Sequence, residues 1–149
     1  MTSQAAPHFV LAGPGGVPVT NASVAGQTTL LLFVPSAFSP VCTQEVREHG
    51  GLGELRELAK LVVVSCDTAH TLTTWLAHLG VSAAVGSDFW PHGQVARQFE
   101  AFDESTGWPR RRSVLLSTGG DVLWSDRSAP GRARDPQVAL RAIRDFGVA

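Results

Sequence analysis

The chain has 149 residues, 44% of them hydrophobic and 17% charged, with a formal net charge of -1. That length buries a real core in one domain, 1–149, and so balanced a charge leaves no electrostatic footprint for nucleic acid or a membrane surface. Two cysteines, Cys42 and Cys66, are too few for the disulfide framework of a small secreted protein. The opening Met1-Thr2-Ser3-Gln4 lacks the basic start and apolar run of a signal peptide, so a cytoplasmic chain with reduced thiols is expected.

In chain order, Phe9 to Leu11 is a short strand candidate, followed by a turn through Gly13-Pro14-Gly15-Gly16. Thr28 to Val34 is β-rich and continuously apolar, which suits a central strand covered on both faces. Ser39-Pro40 reads as a helix start, with Ser39 as N-cap and Pro40 at the first helical position. That helix carries Cys42 and Val46 and is expected to break across His49-Gly50-Gly51-Leu52-Gly53. Leu52, Leu55 and Leu58 form an apolar stripe in the next helical segment.

Leu61 to Cys66 predicts a second buried strand. Thr71 to Leu79 predicts a helix with Leu72, Leu76 and Leu79 inward and Gly80 as its terminator. Val81 to Val85 leads to Ser87-Asp88-Phe89-Trp90-Pro91, and a helix with Val95 and Phe99 inward follows. After a turn at Asp103 to Gly107, Ser113 to Leu116 and Val122 to Trp124 read as a hairpin closed by Ser117-Thr118-Gly119-Gly120. Asp135-Pro136 caps a last helix whose inward residues are read as Val138, Leu140, Ala142, Ile143 and Phe146. Strands alternating with helices, then a hairpin and a final helix, predict an α/β fold: a mixed sheet with helices on both faces.

Charge is placed unevenly along this frame. No Asp, Glu, Lys or Arg precedes Glu45, and Lys60 is the only lysine. The uncharged stretch ends just beyond Cys42. That cysteine falls in the first turn of a helix that follows a buried strand. Unpaired backbone N–H groups and the helix dipole both favour an anion there, hence the thiolate over the thiol. Pro35 shapes the loop before it, and the Ser39 hydroxyl, three residues before the sulfur, is placed to hydrogen-bond a thiolate or its substrate. The competing reading is a buried structural cysteine with Ser39 as a helix cap alone.

The run Pro35-Ser36-Ala37-Phe38-Ser39-Pro40-Val41-Cys42 resembles the P-x-x-x-[ST]-x-x-C signature of the peroxiredoxins, and Glu45 matches an acidic residue often found three positions later. Ser39 stands where most members carry threonine; it keeps the hydroxyl and loses the methyl that holds it in one rotamer. Ala6-Pro7-His8-Phe9-Val10-Leu11 is similar to the family's opening. Ser87-Asp88-Phe89-Trp90-Pro91-His92-Gly93 resembles a segment of the actinobacterial one-cysteine alkyl hydroperoxide reductase E group. A second family signature, an arginine two residues before a Ser/Thr that begins an apolar strand, is matched by Arg111 ahead of Ser113-Val114-Leu115-Leu116. Alternation along an extended strand separates Arg111 from Arg110 and Arg112, and the resemblance selects Arg111 as the one facing the thiolate.

The resemblance implies a thioredoxin-like fold and a thiol-dependent peroxidase acting on hydrogen peroxide or organic hydroperoxides. Cys42 would be the nucleophile, with Arg111, Ser39 and Pro35 around it, and no metal, haem or flavin. Cys66 reads as a buried strand cysteine, which leaves a one-cysteine enzyme reduced by an external thiol. Mycothiol with a mycoredoxin-like protein, or thioredoxin, are the reductants the resemblance suggests. A resolving Cys66, or an adaptor relaying oxidation to a partner protein, are the alternatives. Phe38, Glu45 and Trp90 are expected to line the pocket, with Phe89 and Trp108 lining it or a homodimer interface. His8, His49, His70, His78 and His92 show no metal-ligand spacing with either cysteine, and His92 reads as structural or a subunit contact.

Overall fold

The structure is a computed structural model, and it describes residues 4–128 and 131–147. The chain begins with an edge strand β1 (Gln4–Ala5). A small hairpin follows, β2 (Val10–Leu11) with β3 (Val19–Thr20), and then a single helical turn, α1 (Asn21–Val24), closed by a capping box between Thr20 and Ser23. The central strand β4 (Thr29–Phe33) leads through a loop to α2 (Pro40–Gly51) and α3 (Gly53–Leu58). Next come β5 (Lys60–Ser65), α4 (Ala69–Leu79) and β6 (Ala84–Ser87). A short helix α5 (Gln94–Gln98) precedes a two-residue ribbon, β7 (Phe102–Asp103) with β8 (Trp108–Pro109). The hairpin β9 (Arg112–Leu116) and β10 (Asp121–Arg127) precedes α6 (Pro136–Ala142), which ends in a wider turn over Ile143–Gly147.

Six strands form one mixed sheet in the order β1-β10-β9-β4-β5-β6. β4, β5 and β6 run parallel, and β9 and β10 are antiparallel additions on the other side of β4. The two-residue period of the strands sorts their side chains into two cores. Leu30, Leu32, Leu61, Val63, Val85 and Leu115 pack with Cys42 and Val46 of α2, Leu55 of α3, Trp75 of α4 and Leu140 of α6. Leu31, Phe33, Val62, Val64, Val114 and Leu116 pack on the opposite face with Phe9, Leu11, Val95, Phe99 and Cys66. Every residue of β4 is buried on one face or the other, so its apolar run is continuous rather than alternating. Each such leucine contributes about 1.5–3 kcal/mol of burial.

Most predicted elements form where the pattern placed them, and the differences have local causes. α2 breaks within the expected segment, but only at Leu52, after running through His49, Gly50 and Gly51. His49 and Gly50 are buried there, and a Cβ on Gly50 would stand 2.4 Å from a methyl of Val81. That glycine is therefore in the helix for close packing, not as a stop signal. Gly80 does terminate α4 in the left-handed conformation, at φ 67°, where a side chain is disfavoured. α4 also starts earlier than the pattern suggested, because the Thr68 hydroxyl accepts from Thr71 N–H and caps it. In α6 Asp135 caps as expected, but Val138 and Phe146 are exposed and Ala139 takes an inward place.

Candidate active site

The site stands at the end of β4. After Phe33, Val34 N–H still bonds to Val64 carbonyl (2.9 Å), and the chain then leaves the sheet at Pro35. The loop is tied back to the neighbouring strand's end by Asp67, whose Oδ2 accepts from Ala37 N–H (2.8 Å) and from the Ser65 hydroxyl (2.7 Å). Phe38 takes a left-handed backbone (φ 68°), a conformation that costs a non-glycine residue about 1–3 kcal/mol. Its ring rests against Trp75, with centroids 6.3 Å apart. Trp75 in turn donates from Nε1 to the Thr43 hydroxyl (3.2 Å), which clasps the first turn of α2.

Ser39 occupies the N-cap position without capping: its hydroxyl donates to Ser36 carbonyl (2.9 Å), within the loop. The expected hydrogen bond from Ser39 to the sulfur or its helix is therefore absent from this arrangement. The first backbone bond of the helix is Thr43 N–H to Ser39 carbonyl at 2.9 Å. Val41 and Cys42 lie ahead of it, among the helix-start N–H groups that have no partner within the helix. Cys42 is thus the third residue of α2, fully buried, with its side chain in the core under the sheet.

Arg111 comes to Cys42 from the other side. β9 pairs with β4 so that Arg112 stands opposite Phe33, and Arg111 leaves the sheet at the same end as the Pro35 loop. Its Nη1 lies 3.5 Å from Cys42 Sγ and 2.5 Å from Glu45 Oε1. Arg112 turns to the opposite face and donates to the Ser125 hydroxyl (2.9 Å). Arg111, the member of the triplet selected by the resemblance, is the one that stands beside the sulfur.

Glu45 is not a pocket-lining residue, as the resemblance suggested, but a buried charge one turn below Cys42. Besides Arg111 it receives Arg134, through backbone N–H (2.9 Å) and Nε (2.7 Å) on Oε2 and through Nη2 (3.0 Å) on Oε1. The same guanidinium donates to Phe33 carbonyl (2.7 Å) and the Ser113 hydroxyl (3.2 Å). Burial pushes the Glu45 carboxyl up, but the hydrogen bonds and charge of Arg134, with the charge of Arg111, outweigh it and hold the carboxyl below its ordinary value. One turn further, buried His49 donates from Nδ1 to Glu45 carbonyl (2.7 Å), and no partner reaches its Nε2 among the described residues. Burial is the main reason its pKa lies below the ordinary histidine value.

A cleft of about 660 Å³ opens beside this cluster, lined by Pro35, Arg111, Trp108, Pro109, Arg110 and Arg127 among others. Of the aromatic candidates, Trp108 lines it; Phe38, Phe89 and Trp90 are exposed elsewhere on the surface. His92 donates from Nε2 to Gly107 carbonyl (2.6 Å) and so braces the turn between β7 and β8. Cys66 belongs to the core on the opposite face from Cys42. Burial, then the charges of Asp88 and Asp67, push its thiol up to about 12.

Arg134, Asp67 and Trp75 were not singled out by sequence reasoning. Arg134 sits in an irregular loop before α6, where no period exists to aim it. The one available signal was Glu45 itself: a carboxylate on the buried side of a helix needs a cation, although nothing in the pattern says which.

A cysteine at a helix start after the central strand of such a mixed sheet, with helices on both faces, is a thioredoxin-like architecture. Residues 2–125 match the model of the AhpC/TSA family, and the chain belongs to that family, the peroxiredoxins, which are thiol-dependent peroxidases. Alkyl hydroperoxide reductase E of Mycobacterium tuberculosis is 30% identical over 142 residues, covering 93% of this chain and 92% of the relative. Alkyl hydroperoxide reductase C of Amphibacillus xylanus is 30% identical over 135 residues, covering 85% of this chain and 69% of the relative. Among solved structures, AhpC of Enterococcus faecalis superposes with a TM-score of 0.85 at 25% identity, over 96% of this chain and 90% of that one. Peroxidoxin BcpB of Mycobacterium tuberculosis shares the fold, with a TM-score of 0.83 at 22% identity over 99% and 98% of the two chains.

Proposed function

We propose that Cys42 reduces hydrogen peroxide or organic hydroperoxides by a one-cysteine cycle completed by an external thiol. The observation that carries the reading is the 3.5 Å approach of the Arg111 guanidinium to Cys42 Sγ at the start of α2. Charge balance supports it. Arg111 and Arg134 bring two positive charges to the single carboxylate of Glu45, and a thiolate at Cys42 makes the buried set neutral.

In the cycle, the thiolate attacks one oxygen of the O–O bond. An S–O bond forms, the O–O bond breaks, and the departing oxygen leaves as water or an alcohol once protonated. Arg111 and the N–H groups at the helix start stabilise the charge developing on that oxygen. Guanidinium suits the task because it keeps its charge throughout. Cys42 is left as a sulfenic acid. One thiol converts it to a mixed disulfide with loss of water, and a second thiol releases the thiolate and a disulfide. The burial of Cys66 in the core across the sheet from Cys42, which favours its thiol form, supports an external thiol for the first of these roles.

Stopped-flow loss of hydrogen peroxide tests the reading: the wild type should react and Cys42→Ser should not. Intact mass after one equivalent of peroxide separates the cycles. A gain of one oxygen marks the one-cysteine route, and a loss of two hydrogens would show a disulfide with Cys66 instead.

A further inference from the structure

The cleft beside Arg111 is far larger than hydrogen peroxide needs. At about 660 Å³ it falls within the range of sites that hold small organic molecules. Its lining has two characters: Pro35, Trp108 and Pro109 are apolar, while Arg110, Arg111 and Arg127 bring positive charge.

These arginines are not equivalent. Arg111 is committed to Glu45 and Cys42. Arg110 has Asp103 near it in the same cleft, where the Ser105 hydroxyl and then the charge of Arg110 favour the ionised carboxyl. Arg127 ends β10 on the cleft's rim and is exposed, and among the described residues no carboxylate pairs with it. The cleft therefore presents an apolar wall, the Arg127 guanidinium without a carboxylate partner among the described residues, and Arg111, whose Nη1 lies 3.5 Å from Cys42 Sγ.

We infer that Arg127 selects a small organic ligand with an apolar stem and one carboxylate, which lies along Trp108 and Pro109 with its reactive end at Cys42. The inference rests on the peroxidase reading and names the ligand class of that site. Two reactants of the cycle could carry this chemistry: the hydroperoxide that oxidises Cys42, or the thiol that reduces its sulfenic acid. Each reacts in the balanced steps given above, and the carboxylate itself takes no part in bond making.

The test measures selectivity in two arms, at low salt. In the first, second-order oxidation rates of the protein are compared for a carboxylate-bearing tertiary alkyl hydroperoxide and its methyl ester. In the second, rates of reduction of the sulfenic acid are compared for 3-mercaptopropionate and its methyl ester. Intrinsic reactivity differences cancel when the acid-to-ester ratio is compared between wild type and Arg127→Gln. An exposed ion pair predicts a ratio about two- to fivefold lower in Arg127→Gln, restored in Arg127→Lys and eroded by 0.5 M salt in the wild type. A fall in the first arm assigns the site to the hydroperoxide, and a fall in the second assigns it to the reducing thiol. If neither ratio changes, the inference is overturned while the peroxidase reading stands. Failure of the wild type to consume hydrogen peroxide would sink both.

Discussion

Glu45 receives Arg134 at three points, through the backbone N–H and Nε on one carboxylate oxygen and Nη2 on the other. The first helix after the central strand is thereby locked to the loop before the last helix, 89 residues on. Arg111 uses the remaining side of the same carboxylate and points its guanidinium at Cys42. The position of the residue beside the sulfur is thus set by a charge that touches no substrate.

Removing that charge while keeping its shape should cost more than one hydrogen bond. Glu45→Gln leaves two buried guanidinium groups facing a neutral amide, and breaking a buried pair costs about 3–5 kcal/mol. The urea midpoint should fall accordingly. An unchanged midpoint would mean that water already compensates Arg111 and Arg134.

The pH dependence of stability follows from two groups on this helix. Glu45 has its folded value below 4.5, so its contribution is present above that pH and is lost as pH falls through the folded value. His49 has its folded value below 6.5, so the folded state resists protonation and stability declines as pH drops from 6.5. Glu45, Arg134 and Asp135 are the charged groups that face it. Stability should therefore fall in two stages on the acid side, the first beginning near pH 6.5 and absent in His49→Leu. Urea midpoints that stay flat between pH 7 and pH 5 in the wild type would contradict the first stage.

Arg111 should separate chemistry from folding. Arg111→Gln removes a charge placed to stabilise the departing oxygen, and loss of one such donor costs about 10²–10³ in rate. Arg111→Lys should recover part of this, since an ammonium keeps the charge but not the planar guanidinium whose Nη1 meets both Sγ and Oε1. The thermal midpoint should move much less than in Glu45→Gln, because Arg134 still satisfies the carboxylate. Equal rates for Arg111→Gln and wild type would remove Arg111 from the mechanism.

What the sequence made legible is what repeats along it. The period of two sorts Leu30 and Leu32 from Leu31 and Phe33, and puts Arg111 on the face of Ser113 and Leu115. The strand-loop-helix run placed Cys42 at a helix start, from the β-rich run and the Ser39-Pro40 signal. The roles of Glu45 and Arg134 were not legible, since they depend on two segments far apart in sequence meeting in the core. Gly50 was legible only in part: its segment does end the helix, but its own close packing against Val81 depends on a contact distant in sequence.

The two thiols should be chemically distinct in the native protein. Cys66 is pushed up to about 12, chiefly by burial, so it remains a thiol across the range in which alkylation is measured. Iodoacetamide at pH 8 should leave Cys66 unmodified until urea is added, as read by peptide mass. Cys66→Ala should retain the wild-type peroxide rate. Rapid native alkylation at Cys66 would show that its core opens, and would revive it as a resolving residue.

Asp67 is the remaining anchor. One carboxylate oxygen holds Ala37 N–H and the Ser65 hydroxyl, and so fixes the loop between β4 and α2 to the end of β5. Asp67→Ala frees a backbone N–H and a hydroxyl in a partly buried setting, at a cost of about 1–3 kcal/mol. The larger effect should be kinetic, because this loop carries Pro35 into the cleft and delivers the chain to the first turn of α2. A small displacement there misaligns the sulfur with Arg111, and misplacement of about 1 Å can cost 10²-fold in rate. Asp67→Asn keeps an acceptor oxygen for Ala37 N–H and should retain more activity than Asp67→Ala at comparable stability. Equal rates in the two variants would mean that Asp67 supports the fold alone and leaves the placement of Cys42 to Trp75 and Thr43.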